Sequence, residues 1–183
     1  MTIENTPRKD PLPALHTLHV RHPGLTESVC RAFAEAASVC LSKHHTPPTD
    51  FQLKSEESNS TRQLNWESPN DQVVRAWNNA DDATRDGAYS VCLASVEAEL
   101  GLLAVARAET RTGADYYLGT ASSGLEEAYR LEVSGVDRGD DAVISRRLRQ
   151  KVQQTRQGNS NLPAIASVVG FLARRIGIEV VRG

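Results

Sequence analysis

The chain predicts a mixed α/β fold in a single domain, and three observations lead to that class. Segments of helical and of strand periodicity follow one another along the sequence. Its 183 residues fit one domain of ordinary size and leave no room for two full catalytic domains. Hydrophobic residues at 39%, charged residues at 24% and a mean hydropathy of -0.42 belong to a globular chain and exclude disordered or collagenous ones.

Residues 1–24 carry Pro7, Pro11, Pro13 and Pro23 among polar residues and predict an irregular N-terminal arm. The domain is then expected over 25–183. Thr26 can cap a helix to about Lys43, because Val29, Phe33, Ala36 and Cys40 recur along one face, and HTPPTD at 45–50 stops it. Phe51–Lys54 and Arg62–Glu67 read as a hairpin around the polar turn SEESNS. Beyond Pro69 and the NNADD segment, Tyr89, Leu93, Val96 and Leu100 mark a second helix from about Ala83 to Leu100, ended by Gly101.

The pattern then shifts to strands. Leu102–Glu109 and Ala114–Leu118 are joined around RTG, and Tyr129–Gly135 follows the turn residues TASSG. A third helix spans roughly Asp141–Gln157, with Ile144, Leu148 and Val152 as its apolar stripe and Gly158 with Asn159 as its stop. Pro163–Phe171 and Ile176–Val181 complete the set. The first of these two is almost continuously apolar, as a strand covered on both faces should be.

The net charge of -2 argues against a generally basic coat, yet it hides an asymmetry. Residues 1–100 hold 9 Lys+Arg against 14 Asp+Glu, and residues 101–183 hold 12 against 9, so the balance runs from -5 to +3. An anionic partner is expected on the second half. Cys30, Cys40 and Cys92 show no C-x-x-C spacing and read as free buried thiols suited to a reducing cytoplasm. No apolar stretch reaches the ~20 residues of a membrane span, and the opening MTIENTPRKD lacks the apolar segment of a signal peptide. A cytoplasmic protein without a membrane partner is the expectation.

Strand alternation puts Leu131 and Val133 on one face of 129–135 and Arg130, Glu132 and Ser134 on the other. On the preceding strand Asp115 and Tyr117 oppose Ala114, Tyr116 and Leu118. Two carboxylates on adjacent strands then converge, and hard oxygen ligands of this kind suit Mg²⁺ or Mn²⁺. The helix at 141–157 adds Arg146, Arg147, Arg149, Lys151 and Arg156 with no acidic residue after Asp141, a stripe able to track phosphates. The aromatic content of 5% argues against base stacking as the main mode.

With GADYYLG at 113–119 and RLEVSG at 130–135, the order helix, three strands, helix, strands resembles the PD-(D/E)xK nuclease-like (restriction-endonuclease-like) superfamily over about residues 82–181. The resemblance implies a restriction-endonuclease-like core preceded by an N-terminal helix and hairpin extension. It assigns Asp115 to the family aspartate and Glu132 to the family glutamate. An acidic residue of the preceding helix, Glu97 ahead of Glu99, would complete the metal shell. Ser134 departs from the pattern, since it stands where the family lysine belongs. Lysine migration to the neighbouring helix is known in that superfamily, and Lys151, the only lysine after Lys54, is the replacement implied. The activity implied is metal-assisted phosphodiester hydrolysis on DNA or RNA, with Asp115, Glu132 and Lys151 catalytic and Arg146, Arg147, Arg149, Gln150 and Gln154 along the nucleic acid.

The alternative is a catalytically inactive protein of the same fold, an adaptor or neutralising protein whose acidic first part binds a protein partner. Trp and Tyr residues offer a homodimer contact, although no heptad pattern specifies one. Other sites are weaker. All five histidines lie at or before position 45, too early to supply Ser134 with a base in this segment. His16, His19 and His22 form H-x-x-H-x-x-H, a Zn²⁺ or Ni²⁺ pattern only on a helix that the prolines oppose. His44 and His45 are expected to face a helix dipole. Trp66, Trp77, Tyr116 and Tyr117 are expected to pack, and no P-loop or dinucleotide glycine motif occurs.

Overall fold

The computed structural model describes residues 10–123 and 126–182. Its helices are α1 (Glu27–Ser42), α2 (Asp71–Ala76), α3 (Ala80–Leu100) and α4 (Asp141–Gln157). Its strands are β1 (Thr49–Lys54), β2 (Asn59–Leu64), β3 (Leu102–Arg107), β4 (Tyr116–Thr120), β5 (Tyr129–Val136), β6 (Ala164–Gly170) and β7 (Arg175–Val181). They form one mixed seven-stranded sheet in the order β2-β1-β7-β6-β5-β4-β3. The pairs β1–β7 and β5–β6 are parallel and the rest antiparallel. Among the described residues no helix is long and apolar enough to cross a membrane.

Local chemistry starts and stops the helices, and α3 starts at Ala80, three residues before the expected Ala83. Thr26 Oγ1 accepts from Val29 N–H, Asn79 Oδ1 accepts from the Asp81 and Asp82 N–H groups, and Asp140 Oδ1 accepts from Val143 N–H. Gly101 ends α3 in the left-handed region at φ 65, a conformation glycine adopts without Cβ strain.

Alternation along β5 and β6 then separates two layers. Leu131, Val133, Ile165 and Val169 join the main core beneath α1 and α3. Ala164, Ala166 and Val168 face α4 and meet Val152, Leu148 and Ile144. The two layers place α3 and α4 on opposite faces of the same strands.

Several expectations need correction. The hairpin begins at Thr49, and its second strand is Asn59–Leu64 instead of Arg62–Glu67, because Leu64 rather than Trp66 completes the strand's buried face. The short helix α2, capped by Asn70 Oδ1 on Val73 N–H, buries no side chain and so left no apolar period to read. His44 donates from Nε2 to Asp137 and His45 from Nε2 to the Phe171 carbonyl, so both bind the sheet side rather than a helix end.

The arm is not irregular over its described part. Leu15–Val20 form a 3₁₀ helix, and Leu12, Leu15 and Leu18 are buried in the main core. Its ends tie both sheet edges. Pro11 and Leu12 pair with Gln63 of β2, while Gly24 N–H reaches the Ala104 carbonyl of β3. Such covering blunts edges that would otherwise template another chain.

His22 completes the β3 contact. It is fully buried, and its Nδ1 accepts from Ala104 N–H at 2.9 Å. The ring proton therefore sits on Nε2, which donates to Glu97 at 2.9 Å. Burial holds the imidazole below its ordinary 6.5 despite the Glu97 carboxylate, which pulls it up. The folded protein thus keeps His22 neutral while the unfolded chain protonates it, and stability declines as pH falls below 6.5 toward the depressed folded value. Thermal melts should show that decline, and His22→Gln should remove most of it; an equal slope in both proteins would refute the assignment.

Candidate functional site

Asp115 immediately precedes β4. Tyr116 pairs with Leu131, and the Asp115 N–H donates to the same Leu131 carbonyl at 2.7 Å, so the antiparallel register slips by one residue at Asp115. Its side chain extends the ladder: Oδ2 accepts from Val133 N–H at 2.8 Å. Oδ1 accepts from the Tyr89 hydroxyl of α3, also at 2.8 Å. Burial, then the Asp115 charge, pushes the Tyr89 phenol well above its ordinary range, so it stays protonated and donates. Arg107, at the end of β3, donates from Nη2 to the same hydroxyl at 2.9 Å and lies 3.9 Å from Asp115 Oδ1. Its guanidinium rests over the Tyr89 and Tyr116 rings, 4.4 and 4.7 Å from their centres.

Glu132 approaches from the α4 face. Lys151 Nζ donates to its Oε1 at 2.7 Å, with both side chains largely buried. Burial first, and the Asp115 charge second, outweigh Lys151 and raise the Glu132 carboxyl above the usual carboxylate value. One helical turn earlier, Arg147 Nη1 donates to Ser134 Oγ at 3.4 Å. The spacing matches because four helical residues rise about 6 Å and two strand residues about 6.6 Å. Side chains at i and i+4 of α4 therefore meet alternate side chains of β5.

The other predicted residues divide. Glu97 does not join the pair. It lies eight residues beyond Tyr89 on α3, about 12 Å along the axis. Its carboxylate accepts from Arg21 at 2.5 Å and from His22, and these hydrogen bonds overcome burial and hold it below the usual range. The basic stripe is also not one surface. Arg147 and Lys151 lean onto β5, whereas Arg149 lines a cavity of about 510 Å³ on the opposite flank of α4. Lys54 and Arg175 share that cavity with Glu56, Asp141 and Glu179. Arg146, Gln150 and Gln154 are exposed.

Among the described residues no group of three or more His, Cys, Asp or Glu side chains gathers to hold a metal. The hard oxygen donors at hand are those of Asp115 and Glu132. The H-x-x-H-x-x-H pattern is no metal site, because both ring nitrogens of His22 are already hydrogen-bonded within the protein. Tyr89 and Arg107 escaped the sequence reading. Tyr89 served as one position of an apolar stripe, and nothing in the spacing of Arg107 separated it from a solvated strand end. Comparison with known proteins finds no family model, no curated protein and no solved structure that matches this chain.

Proposed function

We propose that this chain is a metal-dependent phosphodiester hydrolase acting on DNA or RNA, with Asp115, Glu132 and Lys151 at its centre. The observation that carries the reading is the 2.7 Å contact of the Lys151 ammonium with Glu132, a carboxyl that the Asp115 charge also reaches. An amine that ran free into solvent would have argued for binding alone. The order of elements supports the nuclease-like core: α3, the antiparallel run β3–β4–β5, α4 on the opposite face, then β6 parallel to β5.

The residues fit a divalent cation on their own chemistry. Glu132 is raised by burial and by the Asp115 charge, so a cation between the two carboxylates would relieve a repulsion that Lys151 alone does not. Asp115 and Glu132 would hold Mg²⁺ or Mn²⁺, which take one or two carboxylates along with substrate phosphate oxygens. Bound there, the ion would polarise the phosphoryl oxygen and acidify its water. Lys151 holds positive charge beside Glu132 and stabilises negative charge developing on the phosphoryl group. Tyr89, fixed by Arg107, orients Asp115.

One observation favours the non-catalytic alternative, a protein-binding relative that kept the scaffold. Both Asp115 oxygens already accept hydrogen bonds, from Tyr89 and from Val133 N–H, which is a sufficient structural use for the carboxylate. Incubation with plasmid and with RNA in Mg²⁺, Mn²⁺ or EDTA separates the two. The hydrolase should cleave with either metal, stop in EDTA, and lose cleavage in Asp115→Asn and Glu132→Gln. No cleavage by the unmutated chain, joined to no metal binding by calorimetry, would hand the case to the adaptor.

A further inference from the structure

Two residues before Glu132 on the same face of β5, Arg130 is 5% exposed. Its Nε donates to the Leu162 carbonyl at 3.2 Å and its Nη1 to the Thr112 carbonyl at 3.1 Å. Among the described residues no carboxylate lies in ion-pair range of the guanidinium. Carbonyl dipoles satisfy N–H groups but do not neutralise a net charge, and a buried arginine without a counter-ion is costly.

The side chain lines a cavity of about 660 Å³ between the C-terminal end of α4 and the ends of β6 and β7. Arg156, Arg182, Ser160 and Asn161 line it too, and no acidic residue does. Arg156 has no ion-pair partner among the described residues. Arg182 meets Glu57 only at 3.6 Å with both side chains exposed, a contact too weak to commit it. Gly158 keeps the wall low: a Cβ there would strike the Thr112 carbonyl and lie 2.5 Å from Arg130 Nη1. The size suits a small ligand.

We propose that this cavity is a phosphate-binding site, in which Arg130 supplies a fixed guanidinium from below and Arg156 and Arg182 close on the anion from the rim. Two guanidinium forks at the rim, with the fixed positive charge of Arg130 beside them, match a multiply charged tetrahedral anion better than a single carboxylate. The phosphate comes either from free phosphate or a mononucleotide, or from a nucleic-acid strand. In the second case the strand runs on toward Glu132, about 6.6 Å further along β5. The site stands whether or not the carboxylate pair cleaves.

Because Arg130 ties two loops, the decisive variant is the exposed pair Arg156→Gln with Arg182→Gln, which leaves those ties in place. Wild type and variant are titrated with inorganic phosphate, read by the thermal midpoint, and with a labelled single-stranded oligonucleotide, read by anisotropy at several salt concentrations. Phosphate should raise the wild-type midpoint saturably and the variant's far less. The oligonucleotide should bind the variant about tenfold more weakly, with the slope of log K against log salt reduced by about 1.4 for two lost contacts. Loss in the phosphate arm alone assigns free phosphate or a mononucleotide, and loss in the oligonucleotide arm assigns a strand. Unchanged midpoint shifts and affinities in both arms overturn the site.

Discussion

Replacing Lys151 by methionine is expected to lower the proposed metal-dependent cleavage by about 10²- to 10³-fold, the loss typical when one preorganised charge-stabilising donor is removed. Methionine keeps much of the stem that packs on β5 and deletes the ammonium 2.7 Å from Glu132. The same change has a consequence that needs no substrate. Burial and the Asp115 charge already raise Glu132, and Lys151 is the chief group opposing them. Without it the Glu132 carboxyl should titrate at still higher pH, visible as a shifted carbonyl resonance in a ¹³C NMR titration. Residual cleavage should then rise with pH through that higher value, because the ionised carboxylate is the form that holds a cation. Lys151→Arg keeps the charge but replaces a point donor by a planar fork, so part of the rate should survive. Full activity in Lys151→Met would remove the lysine from the mechanism, and an unmoved Glu132 titration would remove it from the electrostatics.

The fold was legible wherever a period repeats for several turns. Phe33, Ala36 and Cys40 announced α1, although Val29 of the same expected stripe is exposed, and Ile144, Leu148 and Val152 announced α4, because each helix lays an apolar stripe on one layer. The continuous apolar run at β6 announced a strand buried on both faces, and all of its residues are buried. Short elements held in place by long-range contacts were illegible. The arm looks like a proline-rich leader in sequence, yet Leu12, Leu15 and Leu18 enter the core at a 3₁₀ turn whose spacing no helical period reveals.

The candidate residues met the same limit. Strand parity put Asp115 and Glu132 on one face, whereas the register slip at Asp115 lets its carboxylate bond Tyr89 of α3 while Glu132 bonds Lys151 of α4. The lack of another lysine is what pointed to Lys151. Helix phase could not separate Glu97 from its neighbours, because its partners Arg21 and His22 come from the arm. Tyr89 and Arg107 were hidden for a related reason: a tyrosine in an apolar stripe shows its ring in the pattern and its hydroxyl only in three dimensions.

Gly87→Val is expected to cost about 3 kcal/mol or more, the upper range for overpacking a filled interior. A Cβ at Gly87 would lie 2.8 Å from Ala37 N and 2.9 Å from Ala37 Cα, both backbone atoms of α1, so no side chain can rotate aside. Nor can α3 retreat toward the sheet. Its Thr84 carbonyl lies so close to Gly135 of β5 that a Cβ there would stand 2.6 Å away. At Gly87 and Gly135 the helix is wedged between two backbones. In Gly87→Ala the clash remains, while better helix propensity returns about 1 kcal/mol, leaving a net loss of about 2 kcal/mol. Gly101→Ala is the comparator: nothing lies within 4 Å of its added Cβ, so only the left-handed backbone is strained, at about 1 kcal/mol. Urea midpoints should therefore fall in the order Gly101→Ala, Gly87→Ala, Gly87→Val. The wedge also sets Tyr89, half a turn along α3, against Asp115, so a Gly87 variant that still folds should lose cleavage out of proportion to its unfolded fraction. Gly87→Ala as stable as the wild type would mean that α1 and α3 can part freely, and the positioning of Tyr89 would then need another cause.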